Sequence, residues 1–140
     1  NQAGKEEEPI VIHRSSLGAL ERTMAFLIEH YAGNFPTWLT PVQVKVLPIS
    51  DKQNNYARKI LNELKEHKIR AELDDRAESL GAKIRDAQQE KVAYMLIIGQ
   101  KEVESHTVSP RDRAGKDCHQ LPLEKFIADL RQEIDKKTIN

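Results

Sequence analysis

The chain has a single cysteine, Cys118, among 140 residues, so no internal disulfide can form. A fold held without disulfides suits a reducing compartment and argues against a cystine-stapled secreted scaffold. Net charge is missing too: 22 basic residues face 22 acidic ones. A nonspecific coat on a polyanion needs a net basic field, so that class is excluded, whereas a local basic patch on a neutral protein remains open. No apolar run approaches the roughly 20 residues of a membrane span, and no secretory leader is recognisable. GxGxxG and GxxxxGK[ST] are absent, and with them the phosphate cradles they build. CxxC and HExxH are absent, and His13, His30, His67, His106 and His119 are scattered, so no metal-ligand spacing stands out. There is no internal repeat and no low-complexity tract. The expectation is a soluble, cytoplasmic protein, and the missing initiator Met suggests a piece of a longer one.

With 39% hydrophobic residues the chain can build one ordinary core. Residues 1–8 carry charge without hydrophobic period and read as a flexible lead-in. IVIH (10–13), bounded by Pro9, reads as a short buried strand. Leu20, Met24, Leu27, Ile28 and Tyr31 then recur at three and four, marking an amphipathic helix that Gly33 closes. NFPTWLTP (34–41) reads as a linker packed down by Trp38 and Leu39.

From residue 42 the pattern alternates. VQVKVLPI (42–49) reads as a strand and SDKQ (50–53) as a capping box opening a helix that runs to about Lys68. IRAELDD (69–75) reads as a strand, SLGAKIRDAQQEK (79–91) as a helix, and the apolar AYMLIIG (93–99) as a central strand covered on both faces. Strand and helix in alternation imply parallel pairs joined by right-handed crossovers. KEVESHTVSPRDRAGKD (101–117) alternates and turns, which suggests added antiparallel strands, and Leu123, Phe126, Ile127, Leu130 and Ile134 mark a closing helix. The expected class is α/β: three layers, a mixed sheet of about five strands and three helices, preceded by a strand-helix unit.

Several residues invite chemistry. Cys118 beside His119 suggests a nucleophile and base, but no glycine elbow accompanies them and adjacent loop residues rarely orient that way. Asp74 and Asp75 at a strand end suit general acid-base work or simply a turn. The richest group is Lys101, Glu102, Glu104, His106, Arg111 and Arg113, which follows the central strand. Ligands of open α/β sheets bind beyond the carboxyl ends of the strands, Glu accepts from base amino groups, and Arg pairs with guanine edges or phosphates. A solvated mixed-charge hairpin explains the same residues, and spacing alone favours it.

The blocks taken together are more specific. PIVIHRSSLGALERTMAFLIEHYAGNFPTWLTPVQVKVLPIS resembles the join between the catalytic core and the C-terminal domain of threonyl-tRNA synthetases, and LDDRAESLGAKIRDAQQEKVAYMLIIGQKEVESHTVSPRDRAGKD resembles that family's anticodon-binding domain. The resemblance implies a division into a lead-in (1–8), the end of a class II catalytic domain with motif 3 (9–33), a linker (34–41) and an anticodon-binding domain (42–140). It places an ATP-contacting motif 3 arginine on Arg22 and one catalytic zinc ligand on His13. The other zinc ligands belong to upstream segments, so His13 is expected to be metal-free here, since one imidazole cannot complete a tetrahedral site. It implies tRNA contacts at Glu102 and Arg111, with Arg76, Lys83, Arg85 and Arg113 as further contacts. Ala77 stands where the family commonly has Asn, removing one side-chain hydrogen bond.

The implied parent is a homodimeric threonine-tRNA ligase using ATP and zinc. The fragment alone is expected to bind a threonine-tRNA anticodon stem-loop and to catalyse nothing, with no cofactor of its own. Without its catalytic neighbours, the stretch 9–17 is expected to be poorly ordered or to pair with another copy or with the anticodon domain. The alternative is a non-catalytic adaptor using the same α/β domain to bind a protein or another nucleic acid; Arg22 and His13 argue against it.

Overall fold

A computed structural model describes residues 4–16, 18–118 and 120–139. The first helix, α1 (Leu20–Tyr31), ends in Ala32 and Gly33, both left-handed, with the Ala32 and Gly33 N–H groups donating to the Glu29 and Ile28 carbonyls. That is the glycine-terminated stop read from Gly33. No residue of α1 is buried.

The remaining elements are β1 (Val44–Pro48), a single 3-10 turn (Asp51–Gln53), α2 (Asn54–Glu66), β2 (Ala71–Leu73), α3 (Leu80–Gln89), β3 (Tyr94–Ile98), α4 (Gln100–Ser105), β4 (Thr107–Asp112), β5 (Leu121–Pro122) and α5 (Leu123–Asp135). They form one five-stranded sheet in the order β2-β1-β3-β4-β5, with β1 parallel to both β2 and β3, and with β4 antiparallel to β3 and β5. Gln53 reaches back from the 3-10 turn, its side-chain oxygen accepting from the Ser50 N–H at 3.1 Å, as the capping reading requires.

The two faces of the sheet are covered unequally. On one, Val44, Val46, Leu96, Ile98 and Val108 pack against Ile60 and Leu64 of α2 and Phe126, Ile127 and Leu130 of α5. On the other, Leu47 and Met95 pack against Ala87 of α3 and Val92 just beyond it, with Leu80 and Ile84 of α3 alongside. Strand alternation puts Ile97, Ser109 and Arg111 on this thinner face, because Ile97 pairs with Ser109 and Met95 with Arg111. No described helix is long and apolar enough to cross a membrane.

Two expectations are corrected. Residues 10–13 form no strand: they pair with no described strand, and Ile10, Val11 and Ile12 are 93%, 80% and 87% exposed. β-branched composition favours an extended chain, but a ladder also needs a partner edge, and none of the described strands provides one. Leu17, within the stretch 9–17, lies outside the described residues. Residues 101–117 are not strand throughout, since α4 occupies their start. The Glu102 carboxylate accepts from the Gly99 N–H at 2.8 Å, closing the first turn of a helix and overriding the local alternation. Among the described residues this raises the helix count after residue 42 from three to four.

Candidate functional site

The strand order makes a crevice. From β1 the chain moves outward to β2 through α2, then returns through α3 to β3 on the other side of β1. The two crossover helices lie on opposite faces, so the chain parts between the carboxyl ends of β1 and β3. Open α/β sheets bind ligands at such a switch point.

Residues leaving those two strand ends meet there. Ile49 follows β1 and is 48% exposed; it lies so close to Gly99 that a Cβ at Gly99 would sit 2.9 Å from the Ile49 Cδ1 and 2.9 Å from the Glu102 Oε2. Glu102 is partly buried and fixed by two donors, the Gly99 N–H and the Ser109 hydroxyl, each at 2.8 Å. Burial pulls its carboxyl upward, yet the hydrogen bonds from Ser109 and from backbone N–H groups, with the Lys101 charge, outweigh that and hold it below the ordinary carboxylate range. It is therefore an ionised acceptor with lone pairs to spare.

Arg111 lies on the same face of β4, two residues beyond Ser109, roughly 7 Å along the strand. Its Nη1 donates to the Asp117 Oδ1 at 3.2 Å, and its buried Nε has no partner. The carboxylate acceptor and the aliphatic ledge thus stand together at the carboxyl end of β3, with the Arg111 guanidinium on the same sheet face but nearer the start of β3, beside Gly115 and Gln88. That combination suits a planar group with polar edges better than it suits bond-making chemistry.

The other expected residues are placed differently. Arg76 chelates Asp74, with Nε to Oδ1 at 2.8 Å and Nη2 to Oδ2 at 2.6 Å, and its Nη2 also reaches the Asp86 Oδ2 at 2.9 Å. The side-chain hydrogen bonds from Arg76 outweigh burial and hold the Asp74 carboxyl low. Asp74 is thus tied to a cation, and Asp75 to Arg58 at 3.1 Å. Lys83 is 3% exposed and donates from Nζ to the Pro48 carbonyl at 3.1 Å, turned away from solvent beneath the end of β1. Arg85 is exposed on α3. Arg113 points to the opposite end of the sheet, its Nη2 donating to the Phe35 carbonyl at 2.9 Å. Desolvation holds its pKa below the ordinary arginine value.

Further from the face, Lys101, Glu104 and His106 are exposed on and after α4, with the His106 ring 6.1 Å from that of Tyr56. Cys118 is exposed, and His119 lies outside the described residues. Arg22 is exposed on the first turn of α1 and His13 on the extended stretch before it. Among the described residues no three His, Cys, Asp or Glu side chains converge as a metal site would need, so His13 with its described surroundings does not fit a zinc centre.

Sequence reasoning missed Ile49 and α4. Gly99-Gln100-Lys101-Glu102 does carry the helix-start signal, a glycine followed three residues later by a glutamate. Ile49 has no such signal, because it reads as the last apolar residue of its strand.

A family profile described as "Anticodon binding domain" matches residues 43–133. The chain is 52% identical over 136 residues to the threonine–tRNA ligase of Clostridioides difficile (strain 630), covering 97% of this chain and 21% of that protein. It is 49% identical over 138 residues to the threonine–tRNA ligase of Clostridium tetani (strain Massachusetts / E88), covering 99% of this chain and 22% of that protein. The chain therefore spans about a fifth of the length of these curated relatives. Among solved structures, the RNA binding domain of threonyl-tRNA synthetase from Cryptosporidium parvum Iowa II matches with a TM-score of 0.78 and 34% identity, covering 84% of this chain and 30% of that one. A prolyl-tRNA synthetase from Cryptosporidium parvum matches at 20% identity with a TM-score of 0.65, covering 72% of this chain and 22% of that one, a likeness of fold.

Proposed function

Because the chain belongs to the anticodon-binding domain family, we propose that it is the anticodon-reading part of a threonine–tRNA ligase. The observation that carries this reading is Glu102, an ionised acceptor held beside Ile49 at the switch point, with Arg111 roughly 7 Å beyond Ser109 along the same sheet face. RNA sequence is read mostly in loops, where splayed bases offer polar edges and flat faces. The Glu102 carboxylate accepts hydrogen bonds from a base amino or imino group, and the Arg111 guanidinium donates to a base carbonyl, ring nitrogen or phosphate. Ile49 gives the flat face of a base an apolar seat. Arg85, exposed on α3, contributes charge toward the phosphate backbone, and Arg76 does so with the part of its guanidinium that Asp74 and Asp86 leave free.

In the same reading, residues 9–33 are the end of the parent's catalytic domain, 34–41 the linker and 42–140 the reading domain. The parent is a cytoplasmic homodimer that attaches threonine to its tRNA with ATP. Arg22 would offer guanidinium charge to ATP within that larger site. The parent's zinc would need two ligands besides His13. The 140-residue chain alone charges no tRNA.

The test is calorimetric titration with an RNA hairpin carrying the threonine-tRNA anticodon loop, at fixed salt because phosphate contacts are salt-dependent. Arg111→Ala should weaken binding by about 1–3 kcal/mol, the worth of a good base-edge contact, and Glu102→Ala should erase preference among altered anticodon loops. Unchanged affinity and base preference in both variants would overturn the assignment in favour of an adaptor.

A further inference from the structure

Residues 34–41 read as a linker, yet Thr37 and Thr40 are only 5% and 3% exposed. The segment crosses the end of the sheet opposite Glu102, and three cations from three separate elements hold it by its backbone. Lys91, beyond α3, donates to the Ala32 carbonyl at the end of α1. Arg113, beyond β4, donates to the Phe35 carbonyl at 2.9 Å. Arg70, before β2, donates from Nη2 to the Trp38 carbonyl at 2.9 Å and to the Thr40 carbonyl at 2.7 Å, and from Nε to the Pro41 carbonyl at 3.1 Å. From α5, Glu133 accepts the Thr37 hydroxyl at 2.6 Å and the Tyr94 hydroxyl at 2.8 Å. A loose tether leaves its carbonyls to water; here consecutive stretches of one segment are each tied to the domain.

We propose that Lys91, Arg113 and Arg70 form a clamp that makes residues 32–41 a rigid strut. Within it Arg113 is a positioning residue that fixes the direction of the reading face relative to α1. Arg113 is the member closest to the site in the chain, two residues beyond Arg111 at the end of the same strand. Its partly buried guanidinium leaves one donor, Nε, unpaired while keeping the bond to Phe35. Such an arrangement serves the linker's position more than it serves solubility or charge. The functional part of this inference rests on the anticodon-reading proposal. In a ligase the anticodon and the reacting 3′ end lie at opposite ends of the tRNA, so a small swing at the strut moves the 3′ end far out of line. Displacements of an ångström at a reacting centre already cost large factors in rate.

The test has two arms. In the 140-residue chain, with Cys118→Ser and spin labels at Ala25→Cys on α1 and Glu124→Cys on α5, the interspin distance distribution should be narrow. Arg113→Leu should broaden it by about twofold or more, and Arg113→Lys, which keeps one donor, should restore part of the narrowness. An equally narrow distribution in Arg113→Leu overturns the strut. In the full-length ligase, Arg113→Leu should lower kcat for charging about tenfold or more. Hairpin affinity and threonine-dependent pyrophosphate exchange should stay within about twofold. Charging that falls in step with hairpin affinity overturns the positioning role, because Arg113 would then touch the RNA. If the wild-type chain binds no hairpin, the anticodon reading fails, and the spin-label arm still decides the strut.

Discussion

Removing the Glu102 carboxylate should cost the domain stability as well as RNA preference, and the two costs separate. The side chain accepts from the Gly99 N–H and the Ser109 hydroxyl, each at 2.8 Å, and from the Gln120 amide at the longer distance of 3.4 Å. A hydrogen bond to a charged acceptor is worth about 1.5–3 kcal/mol when sheltered, and partial exposure reduces this. Glu102→Ala loses both short bonds and leaves the start of α4 uncapped, so a loss of about 2 kcal/mol follows. Glu102→Gln keeps a carbonyl for Gly99 and an amide for the Ser109 oxygen, so the loss should be about 0.5–1 kcal/mol.

Acid supplies the sign. The folded pKa of Glu102 lies below its unfolded value of about 4.3, so its contribution is fully present above that pH and disappears as pH falls through the folded value. Urea unfolding of wild type, Glu102→Ala and Glu102→Gln should therefore show gaps that are constant from about pH 7 to pH 5.5 and narrow below about pH 4.3. Equal midpoints for Glu102→Ala and wild type at pH 7, or a gap that widens in acid, would refute the capping role. RNA titration of Glu102→Gln then isolates the reading role, because its fold is nearly intact.

Asp74→Asn should destabilise the chain by about 1–2 kcal/mol at pH 7, since it removes the charge that the Arg76 fork holds in a 4% exposed position. Its folded pKa is also lowered, so this gap too should close as pH falls below about 4 in urea titrations. Gly99→Ala should lower stability by about 1–2 kcal/mol in urea unfolding, because its Cβ would sit 2.9 Å from the Glu102 Oε2 that the Gly99 N–H holds and 2.9 Å from the Ile49 Cδ1, forcing both to move. Displacing those two groups should also weaken anticodon-hairpin binding several-fold in the same calorimetric assay.

Much of the architecture was legible because hydrophobic period changes at each boundary. Val44, Val46 and Leu47 lie in the segment read as a strand, and Ala57, Ile60 and Leu64 in the one read as a helix, and all are buried in the fold. Misreadings occurred where a tertiary partner decides. Ile10, Val11 and Ile12 have strand composition but no edge to join. Residues 101–105 alternate like a strand but are closed into a helix by one carboxylate-to-backbone bond. At the site, Glu102 and Arg111 could be named from the sequence, but the Ser109 hydroxyl that orients Glu102 could not, since that contact depends on how α4 is set against β4. Nor does a sequence distinguish an arginine facing solvent from one tied to carbonyls. Arg85 and Arg113 carry the same group, and only burial separates them.

In the anticodon-reading proposal, this separation of like residues bears on how a chain of zero net charge would serve RNA. Three cations, Lys91, Arg113 and Arg70, are spent on backbone carbonyls at one end of the sheet, and Lys83 on a carbonyl beneath the other. Arg76 is largely neutralised by Asp74 and Asp86. With 22 basic and 22 acidic residues the net field on a polyanion is small, so in the anticodon-reading proposal general phosphate attraction contributes little to affinity. Discrimination must then come from a few groups of fixed geometry. Glu102 fits that demand: a carboxylate repels phosphate, so it lowers nonspecific binding and is repaid only by a base that presents donors to it. A neutral domain with a fixed carboxylate at its reading face gives up affinity for selectivity, and a rigid strut lets a weakly held RNA still be presented in one direction.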